Sequence, residues 1–447
     1  MLAGLVCAGC FSTAPRPSGS AVPGLDADIA ARFGAPVLVG KGGDTETSLA
    51  VGPDGTILAC SHGGFTQAPP LWVSRDGGKT FARQTIGETS RGGDCDVAVG
   101  SGAWQMVYTA IAQCAGVPGV AGDCVLELRL ATSLDEGKTW SISTPIPGTN
   151  LQDRSWMTAV GDTLDLVYLP SRPNGFSCLD QPPVCNSADS LGFARSTDGG
   201  RTWGRPTIAY VDPSQPSVLV NGHPIVTDSG RTIGIPLEVI PSTNDAKGAI
   251  VYAHSEDGGA SWSSNVVSRD VGAAITFPSA AATPNGSVVV GYASGDPKRA
   301  SVDLAESSDG GRTWAKPISL STNASFDPDA STFGDVIASV GVAIDRHDVA
   351  TVAWMEATNA SGAVTWALHA GRVGPAPARA VEFAGVARPT GEGSRSAFEF
   401  LEVRESPADQ ALVLYSWKTP ECKQAPAGAT TIRNAECVEL LIGNADP

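Results

Sequence analysis

The chain has 447 residues, with 30 Lys and Arg against 46 Asp and Glu and a formal net charge of -16. That acidic balance disfavours a nucleic-acid or anionic-membrane partner, which rewards clustered cations. No segment after the first residues approaches the roughly 18 apolar residues of a membrane span or repeats apolar residues at helical spacing, whereas 52 Gly and 32 Pro fit many short strands and turns.

In chain order, residues 1–10 are apolar and end in Ala8-Gly9-Cys10, which resembles the lipobox of bacterial lipoproteins, with lipidation expected at Cys10. Cys7 stands where Leu is usual and the basic start is missing, so the segment reads as a truncated lipoprotein signal. Residues 11–34 form a Pro/Ser/Gly-rich linker, and 35–447 a single folded domain. Its first hairpin is Thr47 to Gly52, a Pro53-Asp54-Gly55 turn, and Thr56 to Cys60. Equivalent hairpins begin near Asp96, Trp156, Pro224, Pro278, Ala338 and Phe398, giving seven.

Between hairpins runs a second pattern, Ser-x-Asp-x-Gly-x-Thr/Ser-aromatic, found at Ser74 to Phe81, Ser133 to Trp140, Ser196 to Trp203, Ser255 to Trp262 and Ser307 to Trp314. Its acids, Asp76, Asp135, Asp198, Asp257 and Asp309, are spaced by 59, 63, 59 and 52 residues, too regularly for chance and too far apart for a helical solenoid. Ser and Asp can bond the turn's own amides, Gly can take positive φ, and the aromatic opens the next strand. These acids are therefore read as structural. Each unit is a four-stranded blade, in which the first would end with a strand over Phe81 to Ile86. The final unit has a third strand at Cys437 to Ile442, and Pro36 to Val39 supplies its fourth. The expected fold is an all-β propeller of seven blades closed by an N-terminal strand.

The repeated motif resembles the Asp box, or bacterial neuraminidase repeat, of sialidases and sialidase-like propellers. Sialidases have six blades, so six remains the alternative if the last two hairpins share one irregular blade. The resemblance implies a site of three arginines clamping a carboxylate, a Tyr nucleophile with a Glu, and an Asp acid/base. This chain departs from that pattern. Arg32-Phe33-Gly34 does not match the first arginine motif, and Tyr415 matches Tyr108 and Tyr168 of other units, so it reads as a packing residue.

Cysteines close in sequence pair as Cys114 with Cys124, Cys178 with Cys185 and Cys422 with Cys437, leaving Cys60 with Cys95. On the blade scheme all four bridges lie on one face, opposite the Asp boxes. Strands begin there with Asp44 and Glu46, Asp94 and Asp96, Asp153 and Arg154, His223, Asp335 and Arg395. Strands end there with His62, Arg172, Glu238, Asp296, Lys298 and Glu356. As an enzyme the protein would be a sialidase-like glycosidase using a carboxylate pair from Asp94, Asp153 and Glu238. Arg154, Arg172 and Arg395 would hold an acidic sugar, with His62 and His223 also on that rim. The two histidines fit a uronate lyase too, by position alone. The alternative is a non-catalytic propeller that binds a protein or polysaccharide at the cell envelope. No Gly-x-Ser-x-Gly, phosphate loop or His-Glu-x-x-His is present. No CxxC occurs, and neither a cofactor nor a metal is expected. The protein is expected to be exported, monomeric, without a membrane span, and directed at a glycan.

Overall fold

The repeated turn closes through its own side chains. In a computed structural model of the chain, the Ser74 hydroxyl donates to Asp76 Oδ1 at 2.8 Å and accepts the Gly78 amide at 2.9 Å. Asp76 in turn accepts the Thr80 amide at 2.9 Å and the Thr80 hydroxyl at 2.6 Å. The same bonds recur around Asp135, Asp198, Asp257 and Asp309. Hydrogen bonds from the Thr or Ser four residues on hold each of these carboxyls down at about 2, so the five acids are committed to their turns.

The structure describes residues 36–43, 46–62, 68–87, 92–114, 124–147, 151–170, 190–212, 217–241, 248–269, 271, 275–283, 285–296, 299–326, 337–360, 363–374, 381–388, 401–417 and 436–443. They form seven blades. After β1 (Val37–Gly43), blade 1 comprises β2 (Thr47–Val51), β3 (Ile57–Ser61), β4 (Leu71–Ser74) and β5 (Ala82–Gln84). Blade 2 is β6 (Gly92–Gly100), β7 (Ala103–Cys114), β8 (Cys124–Ser133) and β9 (Ser141–Ser143). Blade 3 is β10 (Leu151–Val160), β11 (Thr163–Pro170), β12 (Ser190–Ser196) and β13 (Thr207–Val211), joined to blade 2 by a single pairing of Leu151 with Leu126.

Blade 4 has a divided inner strand, β14 (Ser217–Asn221) and β15 (Ile225–Thr227), both paired with β16 (Thr232–Pro241), then β17 (Ala249–Ser255) and β18 (Ser263–Arg269). A short connector strand, β19 (Ile275–Phe277), precedes blade 5: β20 (Ser279–Ala282), β21 (Val288–Asp296), β22 (Arg299–Ser307) and β23 (Ile318–Ala324). Blade 6 is β24 (Ile337–Ile344), β25 (Ala350–Ala360), β26 (Ala363–Val373) and β27 (Val381–Arg388), with β19 parallel to β24. Blade 7 is β28 (Glu402–Glu405), β29 (Ala411–Trp417) and β30 (Glu436–Ile442), and β1 completes it by pairing with β30 from Val37 opposite Leu440 to Gly43 opposite Glu436.

The expected closure and the count of seven hold, and six blades is excluded. The outer strand of blade 1 is shorter than Phe81 to Ile86, and blade 7 begins at Glu402, four residues beyond Phe398. The one helical element among the described residues is a 3-10 turn at Asp228–Gly230.

The core is radial. Both faces of each blade are apolar, so successive residues alternate between neighbours: Leu58 and Cys60 pack toward blade 2, while Ile57 and Ala59 pack toward blade 7. One apolar layer fills each of the seven interfaces between adjacent blades. The Asp boxes add to these layers. Gly259 of blade 4 has φ +90° and lies against Phe193 of blade 3, where a Cβ would come within 2.1 Å of the ring; Gly311 of blade 5 meets Tyr252 of blade 4 in the same way.

Box amides also bond the turns between first and second strands, as Gly199 to the Asp162 carbonyl (2.8 Å) and Gly258 to that of Arg231 (2.8 Å). Those turns and the boxes thus share one face, and the first strands begin on the other. Down the axis runs a cavity of about 290 Å³, lined by the inner strands of all seven blades through residues such as Leu49, Val97, Met157, Pro224, Ala280, Val342 and Val403. Disulfide Cys60–Cys95 joins the end of β3 to the start of β6. Cys114 and Cys124 stand opposite each other in register, and Cys437 is also disulfide-bonded. Cys10, Cys178, Cys185 and Cys422 lie outside the described residues, as do the expected signal segment and linker.

Two outcomes follow from this packing. Gly259→Val must force a positive φ and displace Phe193, so chemical denaturation should show a loss of about 2 kcal/mol or more. On the Asp-box face Glu405 accepts the Thr351 hydroxyl between blades 6 and 7 at 3.1 Å. Burial lifts its carboxyl to about 7 against the Thr351 bond and Arg372, with Asp345 and Asp409 adding to the rise. Its folded-state value is above its unfolded one, so its contribution is present below about pH 4.5 and is lost as pH rises to about 7. Allowing for partial exposure, wild type should lose about 2 kcal/mol over that window relative to Glu405→Gln, measured by urea melts at several pH values.

Candidate functional site

Opposite the Asp boxes, the inner strands begin around the mouth of the axial cavity, and ionisable side chains gather there. The break in blade 4 places one of them. Gly222 donates its amide to the Pro236 carbonyl at 2.9 Å and sits where a Cβ would come within 2.1 Å of the Pro278 carbonyl oxygen, while Pro224 offers no amide. Between them His223 leaves the sheet and reaches across the mouth. Its Nε2 lies 3.0 Å from Asp96 Oδ1 of blade 2, and its Nδ1 lies 3.2 Å from Glu402 Oε1 of blade 7. Trp156 of blade 3 packs on the imidazole at 4.4 Å between ring centroids and donates its indole N-H to the Asn221 carbonyl at 2.8 Å.

Asp96 is fully buried. Besides His223 it accepts the Ser48 hydroxyl from blade 1, its neighbour's amide at Val97 (2.8 Å) and the Met157 amide from blade 3. One carboxylate therefore ties four blades together, and His223 extends the tie to blade 7. Both imidazole nitrogens face carboxylates, whereas a neutral ring carries one N-H. Burial pushes the Glu402 carboxyl up, opposed by Arg404, whose Nη1 is 2.6 Å away, and by His223.

A second group lies between blades 1 and 2. His62 Nε2 is 3.5 Å from Glu46 Oε2 and 3.5 Å from Asp94 Oδ1. Cys60 and Cys95, next to these residues in sequence, form the disulfide that fixes the two strand ends.

Of the residues named from sequence, the structure brings Glu46, His62 and Asp94 together, and joins Asp96 with His223. Glu238 is completely buried, accepts the Thr276 amide at 2.7 Å and is held well above the usual carboxylate range by burial. Asp153 and Arg154 fall at the start of β10, where register shifts flank Asp153 opposite Leu169; their side chains are outside the described set. Arg172, Arg395, Asp44, Asp335 and Lys298 are outside the described residues altogether. Asp296 pairs with Arg299 at the tip of the β21–β22 hairpin, and Glu356 accepts the Trp354 indole at 2.8 Å. Tyr415 packs between blades 6 and 7 and donates to Glu439 at 2.9 Å. Glu402 was not foreseen. A charged residue set between Leu401 and Val403, two buried apolar residues, marked it.

Residues 155–339 match the family model described as a BNR repeat-like domain, and the chain resembles the Asp-box sialidase-like propellers. Among solved structures, Trypanosoma rangeli sialidase in complex with the inhibitor DANA aligns over 81% of this chain and 56% of its own, at 13% identity and a TM-score of 0.45. This chain therefore spans little more than half of that protein. Penicillium chrysogenum alpha-L-arabinanase complexed with arabinobiose aligns over 80% and 98% at 17% identity and a TM-score of 0.44. The intramolecular trans-sialidase from Ruminococcus gnavus aligns over 92% and 97% at 15% identity and a TM-score of 0.43. No curated protein matches.

Removing the buried acid at the centre of this network leaves two amides, a hydroxyl and an imidazole without their acceptor. Asp96→Ala should cost about 3–5 kcal/mol in a denaturant titration. Ser48→Ala, which removes one donor, should cost about 1 kcal/mol.

Proposed function

We propose that this Asp-box propeller is an exported glycoside hydrolase that works on a glycan at the cavity mouth. The observation that carries the reading is the gathering of buried ionisable groups from blades 1, 2, 4 and 7 at that mouth, while the acids of the opposite face are consumed by their turns. Desolvating so many charges costs stability that packing alone does not require, and such clusters mark sites of chemistry.

Glycoside hydrolysis needs one carboxyl that carries a proton and one that does not. Glu402, whose carboxyl burial pushes up against the pull of Arg404 and His223, is the proton donor in this reading. In the same reading Asp153 is the ionised partner, and Arg154, Arg172 and Arg395, the arginines expected from sequence, hold an acidic sugar. Glu238, enclosed behind Thr276, supports the connector to blade 5, and Asp94 belongs to the cluster around His62. Export is supported by the Cys60–Cys95 disulfide. No helix of the described residues is long and apolar enough to cross a membrane.

The test is release of sugar, read by mass spectrometry, from sialosides, neutral glycosides and uronate polysaccharides incubated with oxidised protein. Hydrolysis by wild type should fall about 10²- to 10⁴-fold in Glu402→Gln, while His347→Ala, an exposed change on the Asp-box face, should keep full activity. Release from none of the substrates would leave a glycan- or protein-binding propeller as the better account, and undiminished release by Glu402→Gln would remove Glu402 as the acid.

A further inference from the structure

We propose that Glu46, His62 and Asp94 form a binding site for a divalent transition cation, with Zn²⁺ as the best fit. The three residues come from separate places: Glu46 just before β2, His62 just after β3, and Asp94 within β6. The fold brings one donor atom of each to within 4.8 Å of the others.

The distances carry the argument. Two carboxylate oxygens approach the same imidazole nitrogen, each at 3.5 Å. That is longer than the usual hydrogen bond of about 2.7–3.2 Å, and a single N-H cannot point at both. A cation bound at about 2.0–2.1 Å to tetrahedral ligands, however, sets those ligands about 3.4 Å apart, which the two spacings from His62 Nε2 fit, with the two carboxylate oxygens within 4.8 Å of each other.

Burial adds to this. His62 and Asp94 are 7% and 6% exposed, so a cation held between them would be largely shielded from water. The Cys60–Cys95 bond pins the strand ends that carry His62 and Asp94, so the donors are held in place before any ion arrives.

One imidazole nitrogen with two carboxylate oxygens suits Zn²⁺ or Mn²⁺ better than Ca²⁺, which takes six to eight oxygens. Three protein donors leave a further position for water or a ligand oxygen. The site is independent of the hydrolase reading, since it uses neither Glu402 nor His223.

The experiment is a calorimetric titration of untagged, oxidised, EDTA-treated protein with Zn²⁺, repeated with Co²⁺ and read by visible absorption. One equivalent should bind, with the intense visible bands of four-coordinate Co²⁺, and Ca²⁺ should not displace it. Binding should weaken by more than about 100-fold in His62→Ala and in Glu46→Gln, beyond the effect of losing a merely supporting residue. Glu46→Gln keeps the shape of a partly exposed side chain, and a melting curve that Zn²⁺ raises in wild type but not in this variant keeps the test meaningful if His62→Ala unfolds. His347→Ala should bind as wild type does. Absence of binding by wild type, or binding as tight as wild type in the two triad variants, would overturn the proposal.

Discussion

Everything in this molecule depends on the pairing of β1 with β30. Seven blades arranged in an open arc would leave one apolar face at each end in water and unpaired strand edges beside it. With Val37 set against Leu440 and Gly43 against Glu436, the last blade gains its outer strand and the ring closes. The seventh apolar layer, between Leu412, Leu414 and Leu440 on one side and Leu49 and Ile57 on the other, exists only because the ring is shut. Stability is shared around a circle, each blade supplying half of two interfaces.

Closure also creates an axis, and the axis concentrates chemistry. Inner strands converge there, so polar groups at their starts meet although they are far apart in sequence: His223 and Asp96 are separated by 127 residues. Such a meeting place must satisfy its charges internally, and Asp96 does so by accepting from blades 1, 3 and 4 as well as from its own strand. The two ends of the ring thereby acquire different characters. One carries the five solvent-facing Asp-box turns, whose carboxylates are held by their own hydrogen bonds. The other is a partly buried assembly of acids and imidazoles drawn from separate blades.

The parts of this arrangement that sequence revealed are those governed by local chemistry. An Asp four residues before a Thr or Ser closes a turn whatever surrounds it, so the Asp boxes announced the blades, the blade order then predicted the closing strand, and elimination among the cysteines left the Cys60–Cys95 bridge. Blade 7 lacks a box, and without that marker Glu402 escaped notice because its start was placed at Phe398. The role of His223 was hidden for another reason. It depends on Gly222 fitting beneath the Pro278 carbonyl and on Pro224 interrupting the ladder, which is a tertiary fact. Glu238 shows the converse, a polar residue at the right rim that folds inward to hold a connector.

The direction of β1 has a consequence for how the molecule is presented to its surroundings. Its first residue lies against Leu440, and Leu440 in turn touches Gly78 of the first Asp box, so the chain ahead of Pro36 joins the ring at the Asp-box end. The chain's entry and the mouth thus lie at opposite ends of the axis, so whatever precedes Pro36 starts on the side away from the gathered acids and histidines.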